Sequence, residues 1–160
     1  MLRSDNSVRK GIYISFIAFF VVFIDVLTKR AIIANVTQYE NINILPFLRI
    51  VHIENRGAAF GIFSNLGNNV FIAISLIAIV GIIVYAVRFA KGLEVYSFSL
   101  ILGGALGNLH DRIMFGKVID FIDVFVGKWH WPAFNVADSA LTIGIALFII
   151  SNIWHGKAKK

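Results

Sequence analysis

At 160 residues, 58% hydrophobic and only 15% charged, with a mean hydropathy of +0.80, the chain is too apolar for a water-soluble domain and short enough to be one membrane domain. The absence of cysteine excludes a disulfide, a thiol nucleophile and a cysteine-ligated metal site. A net charge of +6 would suit a nucleic-acid partner if it formed one basic face, but here it is confined to particular loops.

Met1 to Lys10 is a polar leader carrying Arg3, Arg9 and Lys10. Gly11 to Ile24 is uncharged, and with Asp25 to Thr28 it reaches 18 residues, about the minimum for ~30 Å of hydrocarbon. The run ends in Asp25, Lys29 and Arg30 without a small-x-small cleavage pattern, so it reads as a retained helix. Residues 31–67 are mixed: Phe47 to Ile53 is rich in branched and aromatic residues and predicts short strands and turns. Val70 to Val87 is a second uncharged run, and Arg88 to Glu94 a tight polar connection. Val95 to Leu109 is a third, extended one turn to Ile113; residues 114–131 read as an amphipathic loop; Pro132 to Trp154 is the fourth span, before a basic tail.

Four spans, about 11–28, 70–87, 95–113 and 132–154, put both termini and the 88–94 loop on one side. That side carries eight of the fifteen Lys and Arg in about 23 loop residues and the whole net charge, which places both termini in the cytoplasm. The basic balance is therefore topology and attraction to anionic membrane lipids, with no nucleic-acid footprint.

With that orientation, Asp25 and Asn108 fall at the outer ends of the first and third spans, and Asp138 near the outer end of the fourth. Three helices deliver polar groups to one level, where charge beside hydrocarbon marks a site. Gly104, Asn108 and Arg112 form one stripe of the third helix, and Asn135, Asp138 and Thr142 share a face of the fourth. Gly103, Gly104 and Gly107 allow another backbone to approach.

Asp111 adjoins Arg112 and Asp25 is one turn from Lys29, so both read as ion-paired supports; Asp123 reads as a solvated loop residue. Asp120, among Val118, Ile119, Phe121 and Ile122, and Asp138, with no adjacent cation, remain. Two carboxylates in a shared low-dielectric pocket hold one proton between them. Such a pair hydrolyses a peptide without metal, cofactor or covalent intermediate. The competing protease motifs, H-E-x-x-H and G-x-S-x-G, are absent, and His52, His110, His130 and His155 have no ligand spacing.

Five blocks in order resemble the bacterial lipoprotein signal peptidases, or signal peptidase II. They are Asp25-Val26-Leu27-Thr28-Lys29, Asn55-Arg56-Gly57-Ala58-Ala59-Phe60-Gly61, the run Gly103 to Arg112, Val118-Ile119-Asp120-Phe121-Ile122, and Phe134-Asn135-Val136-Ala137-Asp138-Ser139. The resemblance implies an α-helical polytopic membrane protein of four transmembrane helices, a small extracytoplasmic β-cradle at about 32–62, and a short extracytoplasmic helix or loop near 114–131. It implies catalytic aspartates at Asp120 and Asp138, with Asp25, Lys29, Asn55, Gly104, Asn108, Arg112 and Asn135 supporting or binding substrate. The implied substrate is a prolipoprotein whose cysteine carries diacylglycerol, cut just before that cysteine by a monomeric enzyme in the bacterial cytoplasmic membrane. Arg56 and His110 depart from the family's usual residues without touching the dyad.

The rival reading is a small four-helix transporter or lipid-binding protein using the same polar cluster. Midplane charges and mirrored halves would mark a transporter, and neither is visible. An assembly or chaperone protein is a third class, separated from an enzyme by loss of cleavage in Asp120→Asn.

Overall fold

The structure, a computed structural model, describes residues 2–38, 40–57 and 67–157. Ala58 to Gly61 of the second motif block, and the end of the expected 32–62 cradle, lie outside the described residues. Helix α1 (Leu2–Asn35) has 34 residues, about 51 Å at 1.5 Å per residue, and outreaches the expected 11–28 span at both ends. It takes in the polar leader and the first residues assigned to the cradle. Helix α2 (Asn68–Arg88) matches the 70–87 run, and α3 (Leu93–Phe115) and α4 (Val136–Lys157) complete a bundle.

Four apolar spans were expected. Among the described residues, three helices are long and apolar enough to cross a membrane: Ser7–Asn35 of α1, Asn68–Arg88, and Val136–Trp154 of α4. Helix α3 has the length, 23 residues, but its serines, glycines and the polar Asn108 to Arg112 run lower its hydropathy. Its position explains why that is tolerated, since α3 packs against α1, α2 and α4. Ser97 and Ser99 are buried there and return their hydroxyls to the Leu93 and Val95 carbonyls, so neither hydroxyl is left unpaired. The outer helices instead turn large apolar side chains outward, among them Phe16, Phe19, Ile77 and Val80, a surface suited to hydrocarbon.

Close approach fixes the bundle at α3. A Cβ on Gly103 would stand 2.7 Å from Val21 Cβ on α1, and one on Gly104 would run into the Ala137 carbonyl oxygen of α4. At Gly107 it would meet Asp25 Oδ2 at 2.7 Å. The glycine stripe thus seats α3 against both neighbours where the charged groups lie.

Strands β1 (Ile42–Leu45), β2 (Leu48–Asn55), β3 (Val118–Val126) and β4 (Trp129–His130) form one antiparallel sheet in the order β1-β2-β3-β4. The expected helix or loop at 114–131 is therefore half of the cradle. Helix α3 ends at Gly116, whose φ of 71° and N–H bond to the Arg112 carbonyl make a left-handed cap, and β3 begins two residues later. The nine residues of β3 are branched or aromatic apart from two aspartates, and are buried on both faces over Val118–Phe121, which hides the alternation a half-buried strand would show.

After β4 the chain turns back along β3. Phe134 accepts from the Phe121 and Ile122 N–H groups and donates to the Ile122 carbonyl. Residues 132–134 are thereby held extended, so α4 starts at Val136 and not at Pro132. Asp138 consequently stands in the first turn of α4, where six residues of helix had been expected before it.

Candidate active site

Asn135 is the pivot of the site. It precedes α4 as its N-cap: its Oδ1 accepts the Asp138 N–H at 2.8 Å, and Asp138 Oδ2 accepts the Asn135 N–H at 3.3 Å. This reciprocal Asn-x-x-Asp pair is the acidic counterpart of a capping box. With Oδ1 so committed, Asn135 Nδ2 points the other way and donates to Asp120 Oδ1 at 2.7 Å on β3. One residue thus ties the two carboxylates together, Asp120 through its side-chain Nδ2 and Asp138 through its backbone N–H. The Phe134 bridge to β3 brings it there.

A second amide holds Asp138 from the α3 side. Lys29 Nζ lies 2.7 Å from Asp25 Oδ2, 2.9 Å from Asp111 Oδ2 and 3.2 Å from Asn108 Oδ1, occupying all three ammonium donors. Lysine can only donate, so Asn108 must turn its oxygen to Lys29 and its Nδ2 to Asp138 Oδ1, 2.8 Å away. Asp25 completes the brace by accepting the Ala137 N–H of α4 at 2.9 Å. Both Asp25 and Lys29 are fully enclosed. The expected Asp25–Lys29 pair is present.

Asp111 does not pair with Arg112 as the sequence suggested. Adjacent residues on a helix point about 100° apart, so Asp111 faces Lys29 and also accepts the Ile119 N–H at 3.1 Å, one residue before Asp120. Arg112 turns instead to the cleft, where Nη2 donates to the Gly57 carbonyl at 2.8 Å and Cζ sits 4.5 Å from the Phe71 ring centre. Its Nη1 is buried without a hydrogen-bond partner among the described residues.

Asp123 is also corrected. It is buried, not solvated, paired with Arg49 across the β2–β3 register and with His130 Nδ1 at 3.0 Å. Arg49 is 74 residues away in sequence, so no local spacing signalled the pair. His130 therefore belongs to a sheet clamp, and His52 bonds the Val36 carbonyl at 2.8 Å. Neither is a free loop residue.

The cleft itself has a volume of about 680 Å³ and lies between the β3 edge, the 131–134 segment and the first turns of α4. Asn55, Asn108, Arg112, Asp120 and Asp138 line it; Asp25, Lys29, Gly104 and Asn135 do not, and act from behind. Asn55 reaches in from β2, giving Nδ2 to Asp120 Oδ2 at 3.0 Å while its Oδ1 accepts the Gly57 N–H. Asp120 is 2% exposed. Burial, and then the Asp138 charge beside it, push its carboxyl up to about 7, against the pull of the Asn55 and Asn135 donors. Two carboxylates, Asp120 and Asp138, line the cleft with one cation, Arg112, while Asp25, Asp111 and Lys29 form a buried group behind it. The aromatic wall of Trp131 and Phe134 was not anticipated as part of the site; it is placed by the β3 bridge, for which the sequence has no local signal.

The profile of the family Peptidase_A8, Signal peptidase (SPase) II, matches residues 17–154. The lipoprotein signal peptidase of Thermodesulfovibrio yellowstonii is 46% identical over 84% of this chain and 90% of its own length. That of Alteromonas mediterranea is 42% identical over 92% of this chain and 82% of its own. In structure, the chain is similar to a bacterial membrane enzyme solved by the in meso method at 2.3 Å, with a TM-score of 0.86, 36% identity and 92% coverage of both chains. A second, solved at 1.9 Å, gives a TM-score of 0.79 at 37% identity over 87% of this chain and 91% of the other. A family match over most of the length, relatives of this identity, and a bundle carrying the same architecture converge: the chain belongs to the signal peptidase II family of bacterial membrane aspartic endopeptidases.

Proposed function

We propose that the chain removes the signal peptide from diacylglyceryl-modified prolipoproteins, cutting just before the lipidated cysteine with Asp120 and Asp138 as a water-activating pair. The observation that carries this reading is Asn135, whose side-chain Nδ2 donates to the Asp120 carboxylate and whose backbone N–H donates to the Asp138 carboxylate, with both aspartates lining one cleft. Burial and the neighbouring Asp138 charge push the Asp120 carboxyl up to about 7, so a substantial fraction of Asp120 is protonated near neutral pH. Asp138 takes a proton from the attacking water while the Asp120 carboxyl hydrogen-bonds the scissile carbonyl; the tetrahedral intermediate then collapses as a proton passes to the leaving amine. The roles reverse over the cycle. Arg112 Nη1, a buried donor with no partner among the described residues, is suited to a main-chain carbonyl of the substrate.

Both termini lie in the cytoplasm on the charge distribution, and the site lies at the extracytoplasmic face. All the site groups come from one chain, so a monomer suffices. Substrate lipid has a physical role here. The acyl chains anchor one side of the scissile bond in the bilayer, each buried methylene contributing about 0.8 kcal/mol, and the apolar signal helix anchors the other. The bond is thereby presented at the depth of the dyad. The test is cleavage of lipidated and unlipidated forms of one precursor in the same micelles. The lipidated form should be cut far faster, and equal rates would show that the depth-matching argument is wrong.

A further inference from the structure

A second cavity, about 930 Å³, opens at the other end of the bundle. Its wall carries Arg9, Lys10 and Tyr13 of α1, Arg88 at the end of α2, Lys91 in the α2–α3 turn and Tyr96 of α3. From Val95 to Asn108 along α3 is 13 residues, about 20 Å, so this cavity is separate from the catalytic cleft. Among the described residues no carboxylate lines it. Among the described residues, the ion pairs involve Lys29, Arg49, His110, Lys117 and His130, and none of the four cations here. Glu94, next to it in sequence, turns its Oε2 to the Lys91 N–H at 3.3 Å, and Lys10 Nζ donates to the Ala90 carbonyl at 3.2 Å. Four cations gathered on one concave wall repel each other, and an anion relieves that repulsion.

The same segments say how the anion arrives. Ile12, Val87, Phe89 and Leu93 flank the cavity and expose apolar surface, so hydrocarbon adjoins the charged hollow. The two tyrosines, 60% and 53% exposed, suit the headgroup level, where an apolar ring and a hydroxyl are both accommodated. An anion carried on acyl chains satisfies both features, whereas a free anion uses only the charge. We propose that this cavity is a binding site for the phosphate-bearing headgroup of an anionic phospholipid, with its chains laid along the exposed apolar residues of α1 and α2.

The test is lipid retention by the full chain, purified in micelles doped with phosphatidylglycerol or phosphatidylcholine and read by native mass spectrometry. Wild type should retain phosphatidylglycerol in preference to phosphatidylcholine. The triple variant Lys10→Gln/Arg88→Gln/Lys91→Gln should lose about a hundredfold of that retention, each charge contributing about fivefold, while its cleavage activity confirms the fold. Lys128→Gln, at the far end, should leave retention unchanged. Because the triple exchange also removes charge that orients insertion, Arg88→Gln alone, with about a fivefold loss expected, serves where the triple variant does not accumulate. Undiminished phosphatidylglycerol retention in the variant that folds, or an equal loss in Lys128→Gln, would overturn the proposal. So would displacement of the lipid by millimolar inorganic phosphate, since the site would then take a free anion.

Discussion

At the scale of single residues, the site depends on which atom each amide and ammonium presents. Lys29 sets the orientation of Asn108, and Asn108 thereby presents a donor to Asp138. Lys29→Met should leave Asp25 and Asp111 buried without a counter-charge and lower stability by about 3–5 kcal/mol, as measured by thermal denaturation in detergent. A variant melting within a degree of wild type would show that the buried triad is not holding α1 to α3. The Asp120 carboxyl, pushed up to about 7 by burial and by Asp138, gives a kinetic prediction as well. The pair needs one proton, so kcat/KM should fall as pH rises through about 7. A flat profile from pH 6 to 9 would contradict that protonation state.

At the scale of elements, the helices were legible and the sheet only partly so. Uncharged runs located α2 and the middle of α1 because a membrane helix must be apolar on most of its circumference. Helix α3 was found by the same rule, although its polar composition is tolerated only because neighbours enclose it, which no single-helix pattern states. The 114–131 segment was misread because β3 is buried on both faces and its partner β2 is about 70 residues earlier in the chain. Asp123 was misplaced for the same reason, since its partner Arg49 is supplied by strand register. Asp123→Asn should therefore lower thermal stability while the folded variant still cleaves, because the residue clamps β2, β3 and β4 and stands outside the cleft. Loss of cleavage at full stability would assign it to the chemistry. Gly104→Ala should force α3 and α4 apart, destabilising by about 1–3 kcal/mol, and a neutral effect would mean that the contact yields.

At the scale of the whole molecule, Asp120 and Asp138 are brought together from β3 and α4, braced by α1 and α3 and reached from β2, so on the proposed mechanism catalysis and folding share one set of buried charges. The polar convergence was legible because the spans' alternating direction placed Asp25, Asn108 and Asp138 at one level. Asp120 was paired with Asp138 from its apolar flanks and the family resemblance, but the Phe134 bridge that brings it there has no local sequence signal. The shared charges also have a pH signature. Asp120 binds its proton more tightly folded, at about 7, than at the ordinary 3.8, so its contribution to stability is full below about pH 4 and is lost as pH rises to about 7. The melting temperature of wild type relative to Asp120→Asn should accordingly decline across that window, and a difference that grew with pH would reverse the assignment. The central claim is tested most directly by cleavage of one lipidated precursor by purified wild type, Asp120→Asn and Asp138→Asn in the same micelles, with the signal-peptide product quantified by mass spectrometry. The account predicts that each aspartate variant folds but cleaves at least about 10²–10⁴-fold more slowly. Cleavage within a few-fold of wild type by either folded variant would contradict it.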